Sequence, residues 1–485
     1  MNKDIDQIIN DTFEPIATAM VNLVFYSIDI NGTDLPLIVV WLILGATFFT
    51  FYFRFINIRG FVHAIKIVSG KFGSDEKSTG EVSHFQALTT AVSGTVGVGN
   101  VVHVAVAISI GGPGATFWLI VAGFLGMASK FVECTLGVKY RQTNPDGSVS
   151  GGPMFYIDNG FSELNMPKIG KTMAWYYAIC IVLGSLGAGC MFQANQAYVQ
   201  FINVSGGDAS LFAERGWLFG LLLAVLTAVV IIGGIKKIAR VTSKLVPFMA
   251  LLYVAAALVV IGVNYEKLPY AVTAIITQAF SPEGATGGVI AVLVLGFRRA
   301  AFSNEAGIGS SSIAHATVKT NEPLTQGFVA MLEPFIDTVV VCTITALVIT
   351  ITVFEPSMVS DGTISGVELT SAAFASVIPW FPYVLAVVIM LFAYSTMISW
   401  SYYGLEGFTY IFGPSKAARL TFNMTFCSFI VVGCTTQLSA VLDFSDAMIF
   451  AMALANVTAL YVLGPGVKRD LDNYWREYKA KLKAC

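Results

Sequence analysis

Long apolar segments dominate this chain and constrain its fold more than any other feature. A helix that crosses a bilayer needs about 20 mainly apolar residues. Eleven segments meet this requirement, at 35–57, 85–111, 114–140, 172–203, 213–234, 243–264, 285–312, 325–352, 378–410, 417–436 and 443–464. Only 12% of the residues are charged, about half the proportion in an ordinary soluble protein. The sequence therefore predicts an all-α polytopic membrane protein with about 11 transmembrane helices.

The positions of Lys and Arg predict the orientation of these helices. Cytoplasmic loops carry an excess of Lys and Arg. Such residues cluster in the loops after the odd-numbered segments and in the tail 465–485, whereas the loops on the other side hold only Arg215 and Lys267, with Lys3 at the N-terminus. We therefore expect a plasma (cell inner) membrane protein with its N-terminus outside and its C-terminal tail in the cytoplasm.

The spacing of the segments predicts four regions. Residues 1–84 would hold an interfacial helix at 13–28, too short and polar to span, then one extra transmembrane helix and a cytoplasmic loop. The start lacks the basic region and cleavage site of a signal peptide. The next ten segments divide into two repeats of five, 85–264 and 285–464, and five is odd, so the repeats are inverted. In secondary transporters with inverted repeats, the binding site lies where helices are broken near the midplane.

Glycines interrupt the first helix of both repeats. The first repeat has Gly94, Gly97 and Gly99 beside Asn100, and the second has Gly296, followed by Gly307 and Gly309. Each glycine costs a helix about 1 kcal/mol relative to Ala. Glycines can instead allow close helix packing, but their presence in both halves favours two broken helices.

A broken helix exposes N–H groups at one half-helix and carbonyl oxygens at the other. A zwitterionic amino acid and a cation would use both sets. We expect a substrate carboxylate to bind the N–H groups near Gly97, Val98 and Gly99. We expect sodium at oxygen ligands, which hard cations prefer, from Ser93, Gly94, Val96, Ser395 and Thr396. The two hydroxyls could instead bond the carbonyl one turn back in their own helix.

Several long motifs resemble those of one transporter family. They include FQALTTAVSGTVGVGNVV, MFQANQ, RRAAFSNEAGIGSSSIAHA and FAYSTMISWSYYG. With further motifs along nearly the whole chain, they resemble the alanine or glycine:cation symporter family of the amino acid-polyamine-organocation superfamily. The resemblance implies the leucine-transporter architecture of five plus five helices, and sodium-coupled import of a small neutral amino acid such as alanine or glycine by alternating access.

The resemblance also implies roles for particular residues. It assigns substrate contacts to Gly97, Gly99, Asn100, Gln193, Thr396 and Trp400, and it places Phe297 beside Gly296 in an apolar lid. Gln193 could alternatively join helices, and Trp400 could serve packing alone. Val98 replaces the family's usual Thr, and His103 stands where a small residue is usual, which leaves the preferred substrate and the coupling ion open.

Charged residues within the apolar segments form a further candidate set. An unpaired charge near the bilayer centre costs several kcal/mol, so these residues should pair or line water. Our hypothesis is a cytoplasmic-side network that latches an inner gate, and the alternative is permanent salt bridges. The set is Arg298, Arg299, Glu305, Glu333 and Asp337.

Other functions find less support in the sequence. A proton-coupled symporter or an exchanger would need a titrating group such as His103 or Glu305, and a channel should show a filter-like segment. Scattered cysteines and histidines provide no nucleophile or metal constellation, so we expect neither an enzyme nor an organic cofactor. The net charge of −2 does not indicate nucleic acid binding. The expected partners are sodium, a small neutral amino acid and the lipid bilayer, while the oligomeric state stays open.

Overall fold

A computed structural model of the chain describes residues 5–30, 33–70, 79–145, 147–281, 288–355 and 366–484. Three predicted features lie outside the described residues: Lys3, residues 71–78 of the predicted cytoplasmic loop, and the start of the predicted segment 285–312. The elements of the first half are α1 (Ile5–Val24), β1 (Ser27–Ile30), β2 (Thr33–Pro36), α2 (Leu37–Tyr52), α3 (Ile56–Arg59), α4 (Phe61–Val68), α5 (His84–Thr95), α6 (Val98–Gly111), α7 (Gly114–Lys139), β3 (Gln142–Thr143), β4 (Val149–Ser150), α8 (Pro153–Glu163), α9 (Pro167–Leu186), a π-helix (Gly187–Met191), α10 (Phe192–Val204), α11 (Gly216–Ile231), α12 (Gly234–Val263) and α13 (Leu268–Gln278).

The named elements of the second half are all helices. Its elements are α14 (Gly288–Asn304), α15 (Ser312–His315), α16 (Pro323–Ala330), α17 (Leu332–Pro334), a second π-helix (Phe335–Cys342), α18 (Thr343–Thr352), α19 (Val367–Ala375), α20 (Phe381–Phe412), α21 (Lys416–Thr435) and α22 (Leu438–Ala484). Short 3-10 turns at Gly207–Ala209 and Tyr265–Lys267 precede α11 and α13. The two strand pairs β1–β2 and β3–β4 are antiparallel.

Eight described helical stretches are long and apolar enough to cross a membrane. They are His84–Gly111, Gly114–Lys139, Pro167–Val204, Gly234–Val263, Pro323–Thr352, Phe381–Phe412, Lys416–Thr435 and Leu438–Ala480. The apolar helices α2 and α11 are shorter, and α14 has 17 residues. The all-helical membrane architecture is thus confirmed, whereas the count of eleven and the inverted repeat stay predictions.

Segment ends that should share one side of the membrane do meet in the structure. Lys139 at the end of α7 pairs with Asp470 of α22 at 2.6 Å, and Arg141 donates to the Val318 carbonyl at 2.6 Å. We call this end of the bundle, with the ends of α7 and α20 and the starts of α5 and α12, the basic end. At the other end, Trp118 Nε1 donates to the Ala279 carbonyl at 3.0 Å. The grouping follows the alternation expected from the sequence.

Burial separates central helices from peripheral ones. The most apolar 18 residues of His84–Gly111 are all buried within the protein, but only 33% of the corresponding residues of Gly234–Val263 are buried. Because lipid tails can cover apolar side chains, the exposed apolar faces of outer helices are suited to a bilayer. Helix α1, which includes most of the predicted interfacial segment, packs Phe13 against Phe444 of α22, with ring centroids 5.1 Å apart.

Candidate substrate and cation site

The first broken helix lies at the centre of the bundle. Helix α5 begins with a capping box, in which Ser83 and Gln86 satisfy each other's backbone N–H groups, and it ends at Thr95. Val96 and Gly97 are extended, and α6 starts at Val98. The predicted interruption near Gly97 is therefore confirmed. It separates two half-helices whose opposing ends are the dipolar groups that the hypothesis requires.

Asn100, itself a residue of the second half-helix, caps the start of that half-helix. Its Oδ1 accepts from the Gly97 N–H at 2.8 Å. We had expected this N–H to bind a substrate carboxylate. Since it already has a partner, it is not an open donor. Any carboxylate at this helix start would have to use the N–H groups that follow, at Val98 and Gly99.

Helix α20 supplies polar groups to the end of the first half-helix. The Ser93 hydroxyl donates to the Ser395 carbonyl at 2.7 Å, and the Thr396 hydroxyl donates to the Ser93 carbonyl at 2.9 Å. The Ser395 hydroxyl bonds the Phe392 carbonyl of its own helix at 3.0 Å, as in the alternative interpretation. Ser93, Ser395 and Thr396, all predicted to bind sodium, are thus neighbours, with Gly94 and Val96 adjoining, although the Ser395 hydroxyl bonds within its own helix.

Two further predicted contacts adjoin this break. Gln193 is 4% exposed, and its Nε2 donates to the Ala188 carbonyl at 3.0 Å. Its Oε1 has no hydrogen-bond partner among the described residues, and a Cβ placed on Gly97 would lie 3.7 Å from it. The same Cβ would lie 2.5 Å from Thr396 Oγ1. Because Gly97 has no side chain, the polar groups of Gln193 and Thr396 can both approach its backbone.

The second break occurs later in the chain than we predicted. Helix α14 continues through Gly296 to Asn304, and the backbone then takes positive φ angles at Glu305 (56°), Gly307 (87°) and Gly309 (88°). The expected break at Gly296 is wrong. A Cβ there would lie 2.6 Å from Trp118 Cβ on α7, so this glycine serves close helix packing.

Phe297, like Gly296, lies away from the second break. It is buried, but it lies eight residues before Glu305, about 12 Å along the helix axis. The structure therefore does not bring Gly296 and Phe297 to the second break, and their substrate roles lose the geometric basis on which they were predicted.

Side chains from several helices satisfy the backbone of the segment Glu305–Ser311, which we call the second break. Glu133 of α7 accepts from the Gly307 N–H at 2.7 Å, and Asn456 of α22 donates to the Gly307 carbonyl at 2.9 Å. Tyr177 of α9 donates to the Ile308 carbonyl at 2.9 Å. Non-helical backbone at membrane depth is tolerated only where protein groups or water satisfy it, and here protein groups do so.

Buried Lys130 adds a charge to this second break. Its Nζ lies 2.5 Å from Ser311 Oγ and 3.1 Å from Glu333 Oε1, with both charged side chains 0% exposed. His315 Nε2 is 3.6 Å from the second oxygen of Glu333. Glu333 thus belongs to a buried ion pair behind the second break, not to a network with Arg298 and Arg299.

Trp400 joins the two breaks. Its Nε1 lies 3.3 Å from the Gly94 carbonyl and 3.1 Å from Glu305 Oε1. Glu305 also accepts from Ser310, and Gly189 of the first π-helix leaves room for the indole. One donor therefore bridges the first half-helix and the second break, which makes their junction the best candidate for the binding site.

The two arginines of the predicted gate pair elsewhere. Arg298 Nη2 and Arg299 Nη2 lie 2.8 and 2.9 Å from Asp446 Oδ2 near the start of α22, and Arg299 Nη1 is 3.0 Å from His103 Nδ1. Because α14 continues as a helix, the arginines lie about 9 Å before Glu305 along its axis, away from the basic end. The predicted cytoplasmic-side network with the three carboxylates is therefore wrong.

Asp337 belongs to the first break. Its carboxylate accepts from Asn100 Nδ2 at 2.6 Å, Ser303 Oγ at 2.8 Å and Thr338 Oγ1 at 2.7 Å, and the side chain is fully buried. No ion pair of Asp337 with Lys or Arg is present among the described residues. The structure thus gathers a carboxylate, an amide and two hydroxyls beside the Gly97 backbone.

Sequence reasoning missed several residues of this region. Lys130, Ser303 and Asp446 each occupy a central position but were not singled out. A signal existed for two of them, because Lys130 lies deep within the apolar segment 114–140 and Asp446 lies near the start of 443–464. Ser303 carries no such signal, since a serine within a helix is common.

The fold is that of a known class of membrane transporter. Among solved structures, MhsT in complex with L-phenylalanine has a similar fold, with a TM-score of 0.57 and 16% sequence identity over 78% of this chain and 88% of that chain. MhsT has the leucine-transporter fold, as the sequence led us to expect. At this identity the likeness establishes the fold alone.

The family follows from sequence comparison. The model of the sodium:alanine symporter family matches residues 18–484, and the chain belongs to this family. The sodium/alanine symporter AgcS of Methanococcus maripaludis is 38% identical over 88% of this chain and 92% of its own. The amino-acid carrier protein AlsT of Bacillus subtilis is 33% identical over 90% of this chain and 88% of its own. The predicted resemblance is confirmed, and the family and its members are transporters, not enzymes.

Proposed function

We propose that this protein is a symporter that couples sodium entry to the import of a small neutral amino acid, such as alanine or glycine, by alternating access. It would lie in the cell inner membrane with its N-terminus outside and its basic end in the cytoplasm. The observation that carries the proposal is the junction of the two breaks at Trp400, where buried polar groups of both halves meet. Membership of the sodium:alanine symporter family supports it.

Sodium would bind at the end of the first half-helix. The Ser93 carbonyl and the Thr396 hydroxyl are in contact there, the Gly94 carbonyl and Ser395 adjoin them, and the negative end of the α5 dipole favours a cation. Oxygen ligands suit sodium as a hard ion. In the conformation described, Thr396 bonds the Ser93 carbonyl, so an arriving ion would take over oxygens that now satisfy one another.

The amino acid would bind beside the start of α6. Its carboxylate would face the N–H groups of Val98 and Gly99, where the helix dipole favours an anion. The free Gln193 Oε1 could accept from the substrate ammonium group, because it has no partner among the described residues. Because Thr396 and Trp400 lie close to the backbone of the first break, a substrate with a short side chain, such as alanine or glycine, would fit best.

The Arg298 and Arg299 pairs with Asp446 would form the gate at the outer side. They link α14 to α22 on the side of the breaks that faces away from the basic end. Arg298 is 24% exposed, whereas Asp446 is 1% exposed, as expected for a charged pair at the boundary between water and a closed interior. Opening this gate would require both arginines to leave Asp446.

Uptake into proteoliposomes tests the proposal. Radiolabelled alanine should accumulate when an inward sodium gradient is imposed, and replacing sodium with potassium should reduce uptake to the level of empty liposomes. Unlabelled glycine should compete and phenylalanine should not. Accumulation driven by a pH gradient without sodium would contradict the proposal and favour the proton-coupled alternative, with Glu305 as the titrating group.

A further inference from the structure

Beyond the central site, the structure contains a polar cavity of about 480 Å³ at the basic end. It opens between α20, the α11–α12 turn and the β3–β4 hairpin. The residues that matter for the argument are Glu81, Ser150, Lys236, Tyr402, Glu406 and Arg419.

One oxygen of the innermost carboxylate of this cavity lacks a hydrogen-bond partner in the described part of the chain. Glu406 is 5% exposed, and its Oε2 has no hydrogen-bond partner among the described residues. Glu81 is also nearly covered, with a side chain 9% exposed, while Lys236, 3.7 Å from it, is 69% exposed. Arg419 is exposed as well. The cavity therefore has positive groups at its rim and a carboxyl group with one unsatisfied oxygen at its base.

A line of unsatisfied polar atoms leads from the central site to this carboxylate. Ser399 Oγ, Tyr403 OH and Glu406 Oε2 are buried and have no partner among the described residues. With Thr396 they are spaced three or four residues apart on α20, so they share one side of the helix. Tyr403 OH would lie 3.2 Å from a Cβ on Gly94, which places this line beside the first break.

We propose that Glu406 is the anchor of a second sodium site, which the ion occupies between the central site and the cytoplasm. This inference rests on the proposed function. A single unpaired carboxylate oxygen with nearby Ser150 and Tyr402 hydroxyls provides the oxygen ligands that sodium prefers. A divalent ion is a poorer fit, because the described residues contain no group of three or more His, Cys, Asp or Glu suited to hold a metal.

The two sites are separated by a short path. From Thr396 to Glu406 is ten residues, about 15 Å along the helix axis. Ser399 and Tyr403 divide this distance into steps of one helical turn, so a leaving sodium ion could exchange oxygen ligands at each turn. The carboxylate at the base of the cavity would attract the ion from the central site and hold it until water replaces the protein ligands.

Transport measured from the two faces of the membrane tests this second site. In right-side-out vesicles, external sodium loads the central site from the outer face. In inside-out vesicles, it must pass the cavity. We expect Glu406→Gln to raise the half-saturating sodium concentration at least fivefold in inside-out vesicles and to leave it within twofold in right-side-out vesicles. Glu368→Gln, an exposed carboxylate outside this cavity, is the matched control and should change neither value.

Each alternative result has a separate meaning. Equal shifts at both faces, or no shift at either, would overturn the second site while leaving the proposed function intact. A wild-type protein without sodium dependence at either face would instead refute the proposed function. If Glu406→Gln does not reach the membrane, Glu406→Asp retains the charge on a shorter side chain and should show a smaller shift, again only in inside-out vesicles. A value at wild-type level would contradict the site.

Discussion

The two helix breaks differ in how their backbones are held. At the first, the chain is extended for only Val96 and Gly97, and the contacts are neutral hydrogen bonds from Asn100 and from α20. At the second, left-handed residues occur between Glu305 and Gly309, and side chains of α7, α9 and α22 bond to the backbone. The second break is therefore bonded to three other helices, whereas the first is bonded to α20 and to its own second half-helix.

This difference suggests that the two breaks have different roles in transport. A segment with few, exchangeable bonds can release oxygens to an ion at low cost, because each neutral bond contributes only about 1 kcal/mol. A segment held by a buried ion pair cannot move without exposing charge to an apolar interior. We therefore expect the first break to bind and respond to ligands, and the second to act as the rigid wall against which it moves.

The largest effect should come from removing the charge behind the second break. Lys130→Met would leave Glu333 as a buried carboxylate without its cation and would remove the Ser311 contact. Breaking a buried pair in this way costs about 3–5 kcal/mol. In detergent, the variant should unfold at a markedly lower temperature than the wild-type protein. Lys168→Met, an exposed lysine, is the control.

The companion double variant shows whether the charge or the packing matters. Lys130→Met combined with Glu333→Leu removes both charges and should recover part of the lost stability. If the single variant unfolds at the wild-type temperature, the second break is not held by this ion pair, and the contrast between the two breaks fails.

At the first break, Gly97→Ala should impair transport rather than folding. Its Cβ would lie 2.5 Å from Thr396 Oγ1, and overpacking of this kind costs about 1–3 kcal/mol. Each 1.4 kcal/mol is about a tenfold change in an equilibrium constant, so sodium-dependent uptake should fall by about 10- to 100-fold. Gly262→Ala, where nothing lies within 4 Å of the new Cβ, should leave uptake unchanged. Normal uptake by Gly97→Ala would rule out a close approach of Thr396.

Trp400→Phe tests whether the two breaks act as one site. It retains an aromatic ring but removes the N–H that lies between the Gly94 carbonyl and Glu305. A buried acceptor left without its donor costs about 1–3 kcal/mol, and we expect roughly a tenfold rise in the substrate concentration at half-maximal uptake. Trp380→Phe, at an indole that is 63% exposed, is the control. Identical kinetics in Trp400→Phe and Trp380→Phe would show that the two breaks do not act as one site.

Which features could be predicted from the sequence depends on the distance over which their cause acts. The helices and the first break follow from local composition, since apolar length and the Gly94–Gly99 cluster are visible in the chain itself. The second break was misplaced because Gly296 looks the same whether a glycine breaks a helix or packs closely against α7. Asp446 as the partner of two arginines could not be derived, because such pairing depends on which side of each helix faces the other.

The smallest expected effects give the sharpest comparison. Ser93→Ala and Tyr177→Phe each remove one buried hydroxyl that donates to a backbone carbonyl, at 2.7 Å in the first break and 2.9 Å in the second. Both should lower stability by about 0.5–1.5 kcal/mol. Only Ser93→Ala also disturbs oxygens assigned to sodium, so it alone should raise the half-saturating sodium concentration severalfold. If uptake at graded sodium concentrations shows the same shift in both variants, the first break has no special role in binding the ion, and the two breaks differ in structure alone.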